Sequence, residues 1–121
     1  TQTRFMSFGR LAVAVGHHPD IFPVNHRVWR GKVVIRTEAG TKLAAAVLNG
    51  AVAFEIDDID AEHHSGWSVV VSGRGREPER LEEEMALEDL EFELWVGTPK
   101  SRWLIIEPET VTGRELPARQ R

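Results

Sequence analysis

A chain of 121 residues is enough for one globular domain, read here as 1–121, and leaves little room for a second. With 41% hydrophobic and 28% charged residues, a net charge of −4 and no cysteine, it has the balance of a chain with one core. Its basic side chains are scattered among acids except at Arg114–Arg121, which argues against a nucleic-acid partner; the missing cysteines exclude disulfides, thiolate catalysis and cysteine-ligated metals.

No apolar run reaches the roughly 20 residues of a membrane span, so no membrane partner is expected and the setting is read as cytoplasmic. The sequence opens at Thr1 without an initiator Met, so either the chain was trimmed or an upstream helix is absent.

Gly9–Val15 is a β-type run, closed by turn residues at Gly16-His17-His18-Pro19-Asp20. Ile21–Trp29 gives a second strand, with Pro23 tolerable at an edge. Arg30-Gly31 turns the chain tightly into Lys32–Thr37, making an antiparallel hairpin. The period then becomes helical over Thr41–Leu48, with Thr41 as N-cap and Asn49-Gly50 as terminator.

Ala51–Asp57 and Trp67–Gly73 are strands four and five, the fifth running on to Glu77 through a bulge or bend at Gly73 and Gly75. Pro78 to about Leu94 reads as the one longer helix, with Pro78 in its first turn and acids after it. Arg102–Glu107 is strand six, Val111–Leu116 a short closing segment, and 117–121 a disordered tail. Short strands with connections too brief for crossovers predict a mainly β barrel.

The most informative stretch is Arg36-Thr37-Glu38-Ala39-Gly40-Thr41-Lys42. A strand hands over to a helix here, leaving N–H groups without intrahelical partners at the positive end of the helix dipole. Thr37 and Thr41 add hydroxyls, Lys42 adds an ammonium, and Gly40 permits a sharp turn. A cation in the first turn opposes the dipole unless an anion lies between them. The alternative is a plain N-cap followed by an exposed lysine.

Several segments recur in one order: Gly9-Arg10-Leu11-Ala12-Val13, Pro23-Val24-Asn25-His26, Thr37-x-x-Gly40-Thr41-Lys42-Leu43 and Val52–Asp57. Gly66–Gly73 and Trp103 to Val111-Thr112-Gly113-Arg114 follow. Together, from about Phe8 to Leu116, this pattern resembles the FMN-binding, pyridoxamine 5'-phosphate oxidase-like family, in particular its short bacterial members.

The resemblance implies a six-stranded split β-barrel of Greek-key type that forms a homodimer with two flavins at the interface. Thr37, Thr41 and Lys42 would hold the flavin phosphate. The backbone around Val24, Asn25 and His26, with strand three near Arg36, would line the isoalloxazine ring. Trp67 and Ser68 would reach the flavin across the interface, and Arg114 would face ring or substrate.

The chain departs from the true oxidases in lacking their arginine-rich C-terminal substrate motif and in having no tyrosine. Oxidation of vitamin B6 is therefore not expected. The resemblance implies an FMN-dependent oxidoreductase acting on a small-molecule substrate, or one using the deazaflavin F420. The competing readings are a non-catalytic module that binds or sequesters flavin or F420, and a barrel that has lost its ligand.

Other clusters are read as ordinary surface. His17-His18 near Asp20, and Asp57-Asp58-x-Asp60-x-Glu62-His63-His64, lie in polar connections where ligands seldom converge on a metal. The acids of Glu79–Glu93 are expected to form a solvated helix face. Trp29, Trp95 and Trp103 are expected core or interface anchors, and Trp67 a ligand contact.

Overall fold

The computed structural model describes residues 8–15, 17–38, 40–48, 50–90 and 101–117. Six strands carry the fold: β1 (Phe8–Val15), β2 (His18–Trp29), β3 (Lys32–Glu38), β4 (Ala51–Asp60), β5 (Ser65–Arg76) and β6 (Ser101–Leu116). Helix α1 (Lys42–Leu48) follows β3, and helix α2 (Leu81–Glu88) follows β5. The strands close in the order β1-β2-β3-β6-β5-β4, with every pairing antiparallel. This is the expected mainly β, six-stranded split barrel. No helix among the described residues is long and apolar enough to cross a membrane.

Alternation along the strands sorts the apolar residues into two clusters. Val33, Ile35, Leu104 and Ile106 point inward and pack with Leu11, Val24, Val52 and Phe54. Helix α1 joins that interior through Ala44, Ala46 and Val47. Val34, Trp103 and Ile105 point outward from the same strands and, with Trp29, are covered by Leu87 of α2. In the β2–β3 hairpin both turn residues have positive φ, 51° at Arg30 and 74° at Gly31, the geometry that matches the natural twist of paired strands.

Five elements differ markedly from the sequence reading in length or continuity. β2 starts at His18, so part of the expected turn is strand; Val15 pairs with His18, and Pro19 lies where β2 has a partner on one side only. β4 and β5 run on to Asp60 and start at Ser65 because they pair with each other to their ends. The expected sixth strand and closing segment are one 16-residue strand. The register shift at Ser72/Gly73 falls beside Pro108, so a bulge carries the strand through the interruption.

Helix α2 is the fifth. It is only eight residues long, begins after Arg80 and leaves Pro78 outside its first turn. Its imperfect apolar stripe has a cause: Leu87 is its one buried residue, while Leu81 and Met85 are exposed. Residues 91–94 of the expected helix lie outside the described residues. What fastens α2 is largely polar. Glu82 pairs with Arg30, Glu83 with Arg76 at 2.9 Å and Glu88 with Arg36 at 3.6 Å, and the Trp103 indole N–H donates to Glu88 at 2.8 Å.

Gly75 is where α1 seats on the sheet: a Cβ there would collide with the side chain and carbonyl oxygen of Val47. Gly75→Ala is expected to push α1 off its seat and cost about 1–3 kcal/mol, by the usual scale of overpacking. Urea unfolding checks this; an unchanged midpoint would show that α1 tolerates the displacement.

Candidate functional site

The β3–α1 connection forms as its residue types dictate. Gly40 has φ 78°, a conformation that turns the chain sharply without a side-chain penalty. The Thr41 hydroxyl donates to the Glu38 carbonyl at 3.0 Å and accepts from the Ala44 N–H at 3.1 Å. Thr41 is thus the N-cap the sequence predicts. With its one proton directed to Glu38, its hydroxyl shapes the loop instead of offering a donor outward. The N–H groups of Lys42 and Leu43 have no partner among the described residues, as is usual in a first helical turn. Lys42 is exposed and makes no ion pair among the described residues; Thr37 is half-buried, on the same face of β3 as Val33 and Ile35.

The structure brings the β2 candidates to this corner. The β2–β3 ladder ends at His26 opposite Ile35. Val24 and Thr37 each lie two residues further on, about 7 Å along their strands. Past that last rung, β2 from His18 to Asn25 has a strand partner on one side only, β1. The Val24 side chain packs inside the barrel, and the His26 ring is 8% exposed with its centroid 4.7 Å from that of Phe54. Whatever Val24 and His26 present to a ligand is therefore mainly backbone. Arg36 is on the outer face of β3, held between Glu88 and the Trp103 ring, 4.8 Å from the ring centroid.

Trp67 and Ser68 are not brought to the same corner. Thr37 pairs with Arg102 on β6, whereas Ser68 pairs with Arg114. Along β6 those positions lie far apart. Around the other side of the ring, Ser68 is opposite Asp57 of β4, Asp57 binds Arg10 of β1, and Arg10 is opposite Pro23 of β2, a crossing of three strand spacings or roughly 15 Å. Trp67 is 36% exposed, opposite Asp58 and Glu115, and Ser68 is half-buried on the other face, opposite Asp57 and Arg114. The flanking of Trp67 by two carboxylates is a product of cross-strand register, which single-strand patterns do not carry.

The remaining clusters resolve into structural roles and one convergence. Asp60, Glu62 and His63, expected not to converge, have ligand atoms within 4.8 Å of one another, all exposed. His63 Nδ1 lies 2.7 Å from Asp60, and that hydrogen bond holds the Asp60 carboxyl below its ordinary range. Glu55 and Asp57 share Arg10 at 3.2 Å each. The hydrogen bond between these two carboxyls, helped by partial burial, raises the affinity of Glu55 for a proton. The acids of α2 are not a purely solvated face: three of them grip arginines of the barrel. Trp29 and Trp103 are the expected core anchors; Trp95 lies outside the described residues.

With this geometry in view, the comparisons define the class. The model of the pyridoxamine 5'-phosphate oxidase family matches residues 4–115. An uncharacterized protein of Mycobacterium tuberculosis is 37% identical over 93% of this chain and 77% of its own length. The FAD binding protein from Mycobacterium smegmatis superposes with a TM-score of 0.83 at 35% identity, covering 91% of this chain and 86% of that one. A conserved protein of unknown function from Corynebacterium diphtheriae gives 0.77 at 34%, covering 96% and 91%. The chain belongs to the pyridoxamine 5'-phosphate oxidase family.

The polar fastening of α2 has a pH signature. Arg76, hydrogen-bonded to Glu83, lowers its carboxyl from 4.5 to about 2. A lowered folded-state pKa contributes stability in full above pH 4.5 and loses it as pH falls toward 2. Hydrogen exchange in α2 is expected to quicken over that window, and Glu83→Gln is expected to flatten the change. A Glu83→Gln profile identical to that of the parent would remove this pair from the fastening of α2.

Proposed function

We propose that this chain binds a flavin nucleotide between two copies of itself and serves as a flavin-dependent oxidoreductase for a small molecule in the cytoplasm. The observation that carries the reading is the corner where the β2–β3 ladder stops. A one-sided strand edge, the half-buried Thr37, two N–H groups without a partner among the described residues and the exposed Lys42 fall within a few residues of one another there. That donor set fits a phosphate beside a flat, hydrogen-bonding ring. Membership of the family, and 35% identity to a mycobacterial FAD binding protein, support a flavin as the ligand.

In this reading Lys42, the N–H groups of Lys42 and Leu43, and Thr37 hold the phosphate that FMN and FAD have in common. Thr41 fixes the loop that presents them. The backbone of Val24, Asn25 and His26 and the neighbouring end of β3 at Arg36 orient the ring. In this reading Trp67 and Ser68, on the ribbon beyond the β1–β4 ladder, reach the ring from a second copy. Flavin, when bound, supplies two-electron chemistry at the ring; the chain's residues supply position, charge and exclusion of water.

Absorbance of the purified protein and the mass of the ligand released by heat test the reading and separate FMN from FAD. Lys42→Ala is expected to weaken flavin retention by roughly 10- to 100-fold, the scale of one charge-assisted contact. Protein that stays colourless after incubation with FMN or FAD would overturn the proposal. Bound flavin that turns over with no nicotinamide, deazaflavin or oxygen couple would leave a storage or sequestering module in its place.

A further inference from the structure

The β4–β5–β6 ribbon ends in a shallow hollow of about 340 Å³, and strand register explains its lining. Trp67 lies directly opposite Asp58 on β4 and Glu115 on β6, and Ser65 lies opposite Asp60 one row further out. Opposed residues, and residues two apart along a strand, share a face. Asp58, Asp60, Ser65, Trp67 and Glu115 therefore project to one side, the side that carries Phe54 and Val71 of the barrel interior two rows further in. The indole stands partly exposed in the hollow with a carboxylate-bearing strand on either flank, each about 5 Å away.

The cations of the ribbon are engaged or directed elsewhere. Arg10 binds Glu55 and Asp57, which alternate to the opposite face from Asp58. Arg114, opposite Ser68, is on that opposite face too, and Arg74 pairs with Glu109. Among the described residues neither Asp58 nor Glu115 has an ion partner. The indole, not the acids, sets the kind of ligand. A hard inorganic cation would take the carboxylates and leave the ring unused. An alkylammonium group uses both, through Coulomb attraction and through the negative face of the ring, for which tryptophan is the best side chain.

We infer that this hollow binds the alkylammonium end of a small organic cation. Since Trp67 is among the residues proposed to reach the partner's flavin, the consequence that such cations are the substrate class rests on the flavin reading. Binding itself needs only the ribbon.

The test is an NMR or calorimetric titration of the protein as purified, with choline and with 3,3-dimethylbutan-1-ol, its uncharged isostere. Flavin content is read from the same sample by absorbance. Choline is expected to bind saturably and about tenfold or more tighter than the isostere. Asp58→Asn with Glu115→Gln is expected to reduce choline affinity by a similar factor at unchanged flavin content; the comparison of the two ligands on the unaltered protein holds even if that variant misfolds. Equal binding of the two probes, no binding of choline, or its displacement by an equal concentration of Mg²⁺ would overturn the inference. Choline binding to flavin-free protein would uphold the cation site while the flavin reading fails, and a flavin-loaded protein blind to choline would do the reverse.

Discussion

The architecture depends on a mismatch of strand lengths around β6. β3 has seven residues and β6 has sixteen, so β3 can cover only the first part of its neighbour. β6 pairs with β3 through Ile106 and with β5 from Ile105 onward, changing its principal partner within two residues. That exchange closes the ring near the core and leaves a three-stranded ribbon running beyond it. The bulge beside Pro108 lets the strand bend where the exchange occurs. Everything of functional interest sits at one of the two ends so created: the β2–β3–α1 corner, or the Trp67 ribbon.

The two helices are attached by opposite physics. α1 is a plug, with Ala44, Ala46 and Val47 buried in the barrel and its seat cut into β5 at Gly75. α2 lies on the outside, with one buried leucine and a row of glutamates matched to arginines from three different parts of the barrel. Apolar burial of that small extent would hold a two-turn helix weakly. The partly buried Arg76–Glu83 pair and the Trp103–Glu88 hydrogen bond supply directional contacts that a solvated acidic face would not. Arg36 is drawn into this arrangement, so its guanidinium is directed toward α2 while its backbone remains at the candidate corner.

How much of this was legible in the sequence follows from whether a feature is local. The Arg30-Gly31 turn, the Thr41 cap and the Ala-rich helix are written in adjacent residues, and the structure reproduces them. β6 reads as two pieces in the sequence because Pro108 interrupts a β pattern; only a free edge and a bulge, both products of tertiary pairing, let the strand continue. The acids of α2 read as solvated because their arginines come from residues 30, 36 and 76. At the candidate site, the N-terminal corner was visible as a motif. That Thr41 directs its proton to Glu38, and that Asp58 and Glu115 flank Trp67, depends on geometry and register that no single segment encodes.

A site assembled from the corner of one copy and the ribbon of another is the central claim, and complementation tests it most directly. Lys42→Ala disables the corner and Trp67→Ala disables the ribbon, so each homodimer has two impaired flavin sites. A heterodimer of the two has one doubly impaired site and one intact site. After unfolding and refolding an equal mixture, about one site in four is expected to regain tight flavin binding, since half the dimers are mixed. A mixture that binds no better than the average of its two components would contradict a shared site.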